Sequence, residues 1–397
     1  NNSIILNKAT LLLNLQDIAT IPIANIMIKV FHIISHFDVG GAERVALNIA
    51  HSASPDIEYH VVELLRAHGP FTARFLSELR QHDITYHRGM VPDVHFHYLF
   101  ERLAALTFPL WFIFLFLRHR PQVIHTHTEM PDLGVYTFFR LFPWLLKRCR
   151  VVRTIHNTRL WTGMQATGRR VEAFFQQHHC NVAISESTRQ CYQKVYGEQP
   201  PIIYNGVEQV AQKPYAGLAK DKTNILFAGR YSAQKGITVL VEVIKRLAHN
   251  SRYRFYLFGS GEEQTLVERE LSGLPTVTLS GPLYGISAYL GSFDYLFMPS
   301  LFEGLPLMAI EAGMAATPTI INDAPGLRET LPKNWCLKVE NNSIDHYLQL
   351  FTKLMPTADS HALGREAQCF AEQRFGLRQM QTAYEARYHL LVSNLKA

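Results

Sequence analysis

Short apolar runs alternate with helical stretches along the chain after residue 27, and this alternation restricts the possible folds more than any other feature. In the first half the runs include MIKVFHIIS, QVIHTHT and VVRTIHN, and in the second half NILFAGR, RFYLFGSG and YLFMPS. Such alternation is typical of α/β layering, in which helices cover a parallel sheet. Because the chain has 397 residues, it is long enough for two domains with separate cores.

The domain boundaries follow from composition. Residues 208–222 are polar and lack a strand pattern, so they are the candidate linker. We predict domains at 27–207 and 223–372, followed by an amphipathic helical tail at 373–397. Residues 1–26 are apolar but interrupted by polar residues, with no basic start and no clear cleavage site, so we expect an extension rather than a signal peptide.

The charge and the cysteines limit the class of partner. A net charge of +6 and a pI of about 9.0 favour acidic partners such as nucleotides or phospholipids. No block of consecutive basic residues is present, so we expect no nucleic-acid partner. The five cysteines form no CxxC pair, which is typical of reduced thiols in a cytoplasmic protein.

The segment EGLPLMAIE, from Glu303 to Glu311, is the strongest candidate for a binding site. It places two carboxylates eight residues apart, directly after a strand-like run. If a helix begins near Pro306, which suits a first helical turn, both acids face one cavity. Free amide groups at that helix start would attract an anion or hydroxyl groups. The pattern therefore favours a phosphate-bearing polyol such as a nucleotide sugar.

Two other strand ends carry groups that suit a diphosphate. Gly229 and Arg230 end one strand, and Lys235 follows five residues later, so two cations meet near one loop. Arginine can grip a phosphate with two hydrogen bonds, and both charges would stabilise a departing diphosphate. Gly40 and Gly41 follow the first strand and let backbone amides approach a ligand.

Histidines end two strands of the first half. His125 and His127 are two apart, so they share a strand face, and Glu129 is available as a third ligand if they bind a metal. We favour hydrogen bonds to a sugar or acceptor, with His127, nearer the strand end, as the better candidate. His156 and Asn157 end the next strand and are predicted to line the acceptor side.

Other glycine-rich and acidic patterns are incomplete. Gly259 begins a Gly-Ser-Gly turn that lacks the third glycine of a dinucleotide fingerprint, because Gln264 stands there. No Walker lysine follows a glycine-rich loop, and no Asp-x-Asp pair is present, so we expect neither a metal nor a cofactor.

The stretch from Leu99 to Leu117 is unusually apolar but contains Glu101, Arg102 and Pro109. One interpretation is a helix buried against the sheet. The other is a face that dips into a membrane surface, helped by basic residues nearby.

Together these motifs resemble those of retaining glycosyltransferases of the GT-B architecture, in family four. The similar segments are GGAER from 40, HTH at 125–127, YNGV at 204–207, FAGRYSAQKG at 227–236, FGSGEE at 258–263 and SLFEGLPLMAIEA at 300–312. The resemblance covers nearly the whole chain after residue 27. In MAATPTIIN the chain has Ala-Ala-Thr where many family members have a glycine before the proline.

The resemblance implies two Rossmann-like domains facing across a cleft, with the last helix returned to the first domain. It also implies roles for single residues. Arg230 and Lys235 would hold the diphosphate, Glu303 with the amides at Gly304 and Leu305 the sugar, and Glu311 the ribose. Gly41 would approach the diphosphate, and His127 the transferred sugar.

We therefore expect a metal-independent hexosyltransferase, acting with retention on a nucleotide-diphosphate sugar. Uridine is the expected base by its frequency in the family. The apolar and basic first domain favours a lipid-linked or polysaccharide acceptor, as in lipopolysaccharide, O-antigen or capsule synthesis, at the inner face of a membrane. A sugar-nucleotide epimerase of similar architecture, a binding protein with a relic site and a nucleic-acid binder are the alternatives.

Overall fold

The computed structural model describes residues 27–396 except 39, 53 and 94–96, so the predicted extension at 1–26 lies outside the described residues. These residues form two α/β domains, each built on a parallel sheet, and the predicted fold class is confirmed. The two sheets face each other across a cleft.

The strands of the first domain join in the order β4-β2-β1-β6-β7-β8, with β3 and β5 as a separate pair. Their bounds are β1 (Ile28–Ile34), β2 (Ile57–Glu63), β3 (Leu65–Arg66), β4 (Thr85–His87), β5 (Val91–Pro92), β6 (Val123–His127), β7 (Arg150–Ile155) and β8 (Asn181–Ala183). The helices between them are α1 (Gly41–Ala50), α2 (Thr72–Gln81), α3 (His97–His119), α4 (Glu129–Leu141), α5 (Gln165–Gln177) and α6 (Glu186–Tyr196). Beyond α6, Ile202 and Val207 make isolated bridges to Ala183 and Gly376.

The second domain repeats the arrangement, with strands in the order β11-β10-β9-β12-β13-β14. Its strands are β9 (Thr223–Ala228), β10 (Tyr253–Phe258), β11 (Val277–Ser280), β12 (Tyr295–Met298), β13 (Thr319–Asn322) and β14 (Lys338–Val339). Its helices are α7 (Ile237–Leu247), α8 (Gln264–Leu271), α9 (Leu307–Met314), α10 (Ile344–Gln349) and α11 (Ser360–Arg374). Residues 208–222 contain neither a helix nor a strand.

The last helix, α12 (Leu377–Lys396), leaves the second domain and packs on the first sheet. Its apolar and aromatic side chains, including Tyr384 and Tyr388, enter the core beside β1 and α1. Each tyrosine hydroxyl bonds a polar group of the sheet: Tyr388 pairs with His125 and Tyr384 with Thr154, both at 2.7 Å. The chain therefore crosses between the domains twice, near 205–207 and near 375–377.

The strands that carry the predicted motifs all end at the carboxyl edge of their own sheet. In parallel sheets the carboxyl ends of the strands meet at one edge, and ligands bind beyond it. The motifs that follow β1, β6 and β7 therefore face those that follow β9, β10 and β12 across the cleft. This arrangement positions the candidate site.

Candidate functional site in the cleft

A cavity of about 920 Å³ lies between the two domains at the carboxyl ends of the strands. It is large enough for a substrate of several rings, since ligand pockets usually fall between 300 and 1,000 Å³. Ten of the fourteen predicted site residues line it: Gly40, Gly41, His156, Gly229, Arg230, Lys235, Glu303, Gly304, Leu305 and Glu311.

Lys235 and Glu303 form an ion pair at the cavity wall. Nζ of Lys235 lies 2.7 Å from Oε1 of Glu303, whose side chain is only 7% exposed. Gly236 follows Lys235 with φ of +68°, and a side chain there would collide with the carbonyl of Pro299, so the turn that presents Lys235 requires glycine. An ammonium group has three N–H donors, and the pair occupies one of them. Lys235 can therefore bind an anion while it stays bonded to Glu303.

Arg230 is an exposed cation that lines the cavity. Within the described part of the chain no hydrogen bond or ion pair reaches its guanidinium, and the residue lines the cavity beside Gly229. Gly259, also predicted to bind the donor, does not line the cavity. A β-carbon at Gly259 would lie 2.2 Å from the carbonyl oxygen of Gly229, so Gly259 lets the two strand ends pack closely.

Gly40 and Gly41 have different surroundings at the start of α1. The carboxylate of Glu43 folds back over Gly40, and a β-carbon there would lie 2.0 Å from Oε2 of Glu43. A β-carbon at Gly41 would meet nothing within 4 Å, so this position is open to the cavity. Among the described residues, no side-chain cap bond is made at the N-cap Gly40, so backbone N–H groups of this helix start are available to an anion.

Gly304 lies where the two domains touch. A β-carbon there would lie 2.0 Å from the carbonyl oxygen of His156 in the first domain. Its own carbonyl accepts a hydrogen bond of 2.7 Å from Oγ of Ser185, and the carbonyl of Leu305 accepts one of 3.0 Å from Asn205. The loop before α9 is therefore held from the first domain, and a larger residue at 304 would separate the domains.

Glu311 lies on α9, eight residues beyond Glu303, and it lines the same cavity because α9 begins at Leu307, directly after Pro306. Burial raises the pKa of its carboxyl group, and the positive charge of Arg44 across the cleft opposes that shift. The acid pair is thus brought together as the spacing indicated. A partly buried carboxyl group of this kind suits a pair of neighbouring hydroxyl groups.

The histidines are placed differently from the prediction. His125 does not reach the cavity, because Tyr388 and Thr154 bond its two ring nitrogens at 2.7 Å each within the core. His127 does not line the cavity either, because its ring is fully buried and bonds His32 and His156 at 3.0 Å. The alternation that put these side chains on one strand face was right, but α12 covers that face.

His156 lines the cavity, whereas its neighbour Asn157 does not. Oδ1 of Asn157 instead accepts a hydrogen bond from the backbone N–H of Arg159, at 3.4 Å. Arg159 in turn stacks on the ring of Phe302, 4.2 Å from its centroid, and ties this loop to the second domain. The side chain of Asn157 therefore shapes the loop rather than the acceptor side of the cavity.

A polar bridge across the cleft was not predicted from the sequence. Arg44 of α1 and Glu78 of α2 pair at 2.5 Å, and the hydroxyl of Tyr284 accepts from Arg44 at 3.1 Å and donates to Glu78 at 2.6 Å. The ring of Tyr284 also stacks on Phe71. We call Arg44, Glu78 and Tyr284 the cleft bridge. Arg44 belongs to the GGAER segment, but no short-range pattern pointed to Tyr284 as its partner.

Each half of the chain matches a sequence model of a known family. Residues 39–209 match the sequence model of a family described as Glycosyltransferase Family 4. Residues 222–355 match one described as Glycosyl transferases group 1. The two matches divide the chain at the linker and together include the ten predicted site residues that line the cavity.

Curated relatives are distant. An uncharacterised 41.2 kDa protein in the cps region of Klebsiella pneumoniae is 26% identical over 231 residues, 53% of this chain and 62% of that protein. The O-antigen biosynthesis glycosyltransferase WbnH of Escherichia coli is 26% identical over 190 residues, 48% of this chain and 54% of WbnH. The capsular polysaccharide biosynthesis glycosyltransferase CapH of Staphylococcus aureus is 22% identical over 72% of this chain and 79% of CapH. The matched region thus spans little more than half of the first two.

Solved structures share the fold over most of the chain. Anabaena HepE, solved with UDP and glucose, superposes with a TM-score of 0.72 at 18% identity, over 91% of this chain and 99% of HepE. Sucrose-phosphate synthase from Thermosynechococcus elongatus gives 0.73 at 18% identity, over 92% and 100%. These similarities show the two-domain architecture of this chain.

Proposed function

The chain belongs to glycosyltransferase family 4, and we propose that it transfers a hexose from a nucleotide-diphosphate sugar to a lipid-linked or polysaccharide acceptor. One observation carries the proposal. A single cavity brings Arg230, Lys235 and the open amide position at Gly41 together with Glu303 and Glu311. Cations and amide groups match a diphosphate, and carboxylates match sugar and ribose hydroxyl groups.

The proposed reaction proceeds with retention and without a metal. The acceptor oxygen forms a bond to the anomeric carbon while the bond from that carbon to the diphosphate oxygen breaks. The acceptor proton passes to the departing phosphate. Arg230 and Lys235 stabilise the negative charge that develops there, in the role that a metal ion fills elsewhere. Glu303, bonded to Lys235, fixes both the cation and a sugar hydroxyl in one geometry.

The comparisons support the polysaccharide context of the acceptor. WbnH and CapH are described by their roles in O-antigen and capsule biosynthesis, and we extend that setting to this chain as a proposal. UDP is the proposed nucleotide, since HepE was solved with UDP and glucose.

One face of α3 supports a role for a membrane surface. Exposed leucines and a phenylalanine recur every three or four residues along it: Leu99, Leu103, Leu106, Leu110, Phe114 and Leu117. The helix is long and apolar enough to cross a membrane, and 33% of its most apolar window is buried inside the protein. Exposed basic residues follow at Arg118 and Arg120. We propose that this face dips into the headgroup region of an anionic membrane that carries the acceptor, with the protein otherwise in the cytoplasm.

The donor is tested first by thermal shift with a panel of nucleotide-diphosphate sugars in the presence of EDTA. A true donor at a hundred times its Kd stabilises the fold by about 2.7 kcal/mol, which is readily measured. The product is then examined by NMR for the anomeric configuration. Conversion of the donor alone to an epimer would favour the epimerase, and absence of any nucleotide-sugar binding would refute the proposed function.

The membrane surface is tested by flotation with vesicles that contain anionic lipid. The double substitution of Leu106 and Phe114 by serine should lower the bound fraction. Leu390, equally exposed but on α12, provides the matched control Leu390→Ser. Equal flotation of all three proteins would rule out the α3 face as the contact.

A further inference from the structure

Three histidine side chains form a continuous hydrogen-bonded row from the core of the first sheet to the cavity. Nδ1 of His32 lies 3.0 Å from Nε2 of His127, and Nδ1 of His127 lies 3.0 Å from Nε2 of His156. His32 and His127 are fully buried, whereas His156 lines the cavity. We call these three residues the histidine row.

Burial keeps the members of the row neutral. It lowers the pKa of His32 and of His156 to about 3, the latter with help from the charge of Arg153, and lowers the pKa of His127 well below its usual value. A neutral imidazole carries one N–H donor and one acceptor nitrogen. Because His127 bonds both neighbours, it must accept from one and donate to the other. The two hydrogen bonds therefore run in the same direction along the row.

The core end of the row selects that direction. Among the residues described, none bonds Nε2 of His32. If the bonds ran inward from His156, this buried nitrogen would carry an N–H group without an acceptor, which is rare in proteins. If they run outward, Nε2 of His32 is an unprotonated acceptor, and an unpaired lone pair is the less costly group to bury.

We propose that His32 and His127 are positioning residues that hold His156 as its Nδ1–H tautomer, so that His156 presents a hydrogen-bond donor to a substrate oxygen in the cavity. With the proton fixed before binding, no rearrangement is needed when the substrate arrives. Which molecule supplies that oxygen, the sugar or its acceptor, rests on the proposed function. The assignment of the His156 tautomer is independent of the proposed function.

A metal centre is the competing interpretation of the same cluster. Nitrogen atoms of His32, His125 and His127 lie within 4.8 Å of one another, and all three residues are buried. However, the hydroxyl groups of Tyr388 and Thr154 already bond both nitrogens of His125, at 2.7 Å each. A metal would have to break one of these bonds and at least one of the two bonds of His127. The hydrogen-bonded row satisfies the same nitrogens without that loss.

The tautomer is measured directly by ¹⁵N NMR of the full chain labelled at its histidine rings. The His156 signals are identified by their loss in His156→Gln. We expect His156 to carry its proton on Nδ1 at pH 7. A proton on Nε2 of His156, or stoichiometric zinc in the purified protein by elemental analysis, would overturn the proposal.

Substitutions at the far end of the row test whether it acts on His156. Asparagine at position 32 can place an N–H donor near the site of Nδ1, whereas leucine removes the donor. We expect His32→Asn to keep the tautomer. We expect His32→Leu to lose it and to lower kcat/KM about tenfold, the usual effect of one hydrogen bond. Retention of the wild-type tautomer and rate in His32→Leu would contradict a positioning role.

The sheet supplies a matched control on its opposite face. His60 and His87 form an equal histidine pair there, with Nδ1 to Nε2 at 3.0 Å, and they do not line the cavity. His87→Leu should leave the His156 signal unchanged. Melting curves of all variants separate a loss of folding from a loss of the tautomer. Because the NMR readout needs no substrate, it decides the inference even if no sugar transfer is found.

Discussion

Removal of one hydroxyl group from the cleft bridge should weaken donor binding without changing the chemistry. Tyr284→Phe keeps the ring on Phe71 but loses the oxygen that bonds both Arg44 and Glu78. Burial and the bond to Glu78 raise the pKa of this hydroxyl, so it remains a donor to the carboxylate at neutral pH. The bond crosses from the second domain to the first, and its loss therefore favours an opened cleft.

The size of the effect follows from the contacts. A hydrogen bond to a charged group contributes about 1.5–3 kcal/mol. In Tyr284→Phe the ion pair between Arg44 and Glu78 remains, and their side chains are 29% and 22% exposed, so water can replace part of the lost bonding. We therefore expect the closed form to be destabilised by about 1–2 kcal/mol. This corresponds to about a 5- to 30-fold shift from closed to open. If the donor binds the closed form, its KM rises by up to that factor while kcat is retained.

Steady-state kinetics and small-angle scattering test this together. We expect a raised donor KM, an unchanged kcat and a larger radius of gyration for the free Tyr284→Phe protein. Tyr86→Phe is the control, because Tyr86 also accepts from an arginine, Arg80, but within one domain. An unchanged KM and radius in Tyr284→Phe would refute the bridge as a determinant of closure.

Three further outcomes are expected. Lys235→Met should lower kcat/KM by about 10²- to 10³-fold, as for other charge-stabilising groups, and should also lower the Tm because the buried Glu303 loses its partner. Lys235→Arg should retain more activity. Ala316→Gly should raise the free energy of unfolding by about 0.5–1 kcal/mol, since Ala316 has φ of +56° and the gain exceeds the entropy that glycine costs; chemical denaturation measures it. His156→Gln should raise the KM of the substrate whose oxygen His156 contacts, as read from kinetics with donor and acceptor varied separately.

The sequence pattern predicted the structure correctly where the prediction depended on residues of a single helix or strand. The strand–helix alternation predicted both sheets, and the spacing of Glu303 and Glu311 placed both acids at one cavity because α9 starts where Pro306 indicated. The departure at Ala-Ala-Thr also has a structural correlate, since Ala316 adopts the left-handed conformation that glycine prefers.

The placement of the histidines and the partner of Arg44 depend on tertiary contacts, which the sequence pattern does not show. The same strand periodicity that placed His125 and His127 on one face could not reveal that α12, more than 250 residues later, covers that face with Tyr384 and Tyr388. Nor does any sequence spacing connect Tyr284 to Arg44. Both errors concern contacts made by residues far apart in the chain, which periodicity does not encode.

The domains are joined by one apolar set of contacts and one polar set, which differ in how easily they separate. Near the chain crossings the domains share an apolar cluster that includes Ile184, Val207, Leu305 and Phe375. A β-carbon at Gly206 would lie 2.7 Å from the carbonyl of Gly376, so the crossings themselves are tightly packed. The cleft bridge that also joins the domains is polar and partly exposed. Water can replace polar partners at little cost but cannot replace apolar ones, so opening of the cleft would break the bridge and spare the cluster. We therefore expect the cleft bridge, where Arg44 also faces Glu311, to control closure.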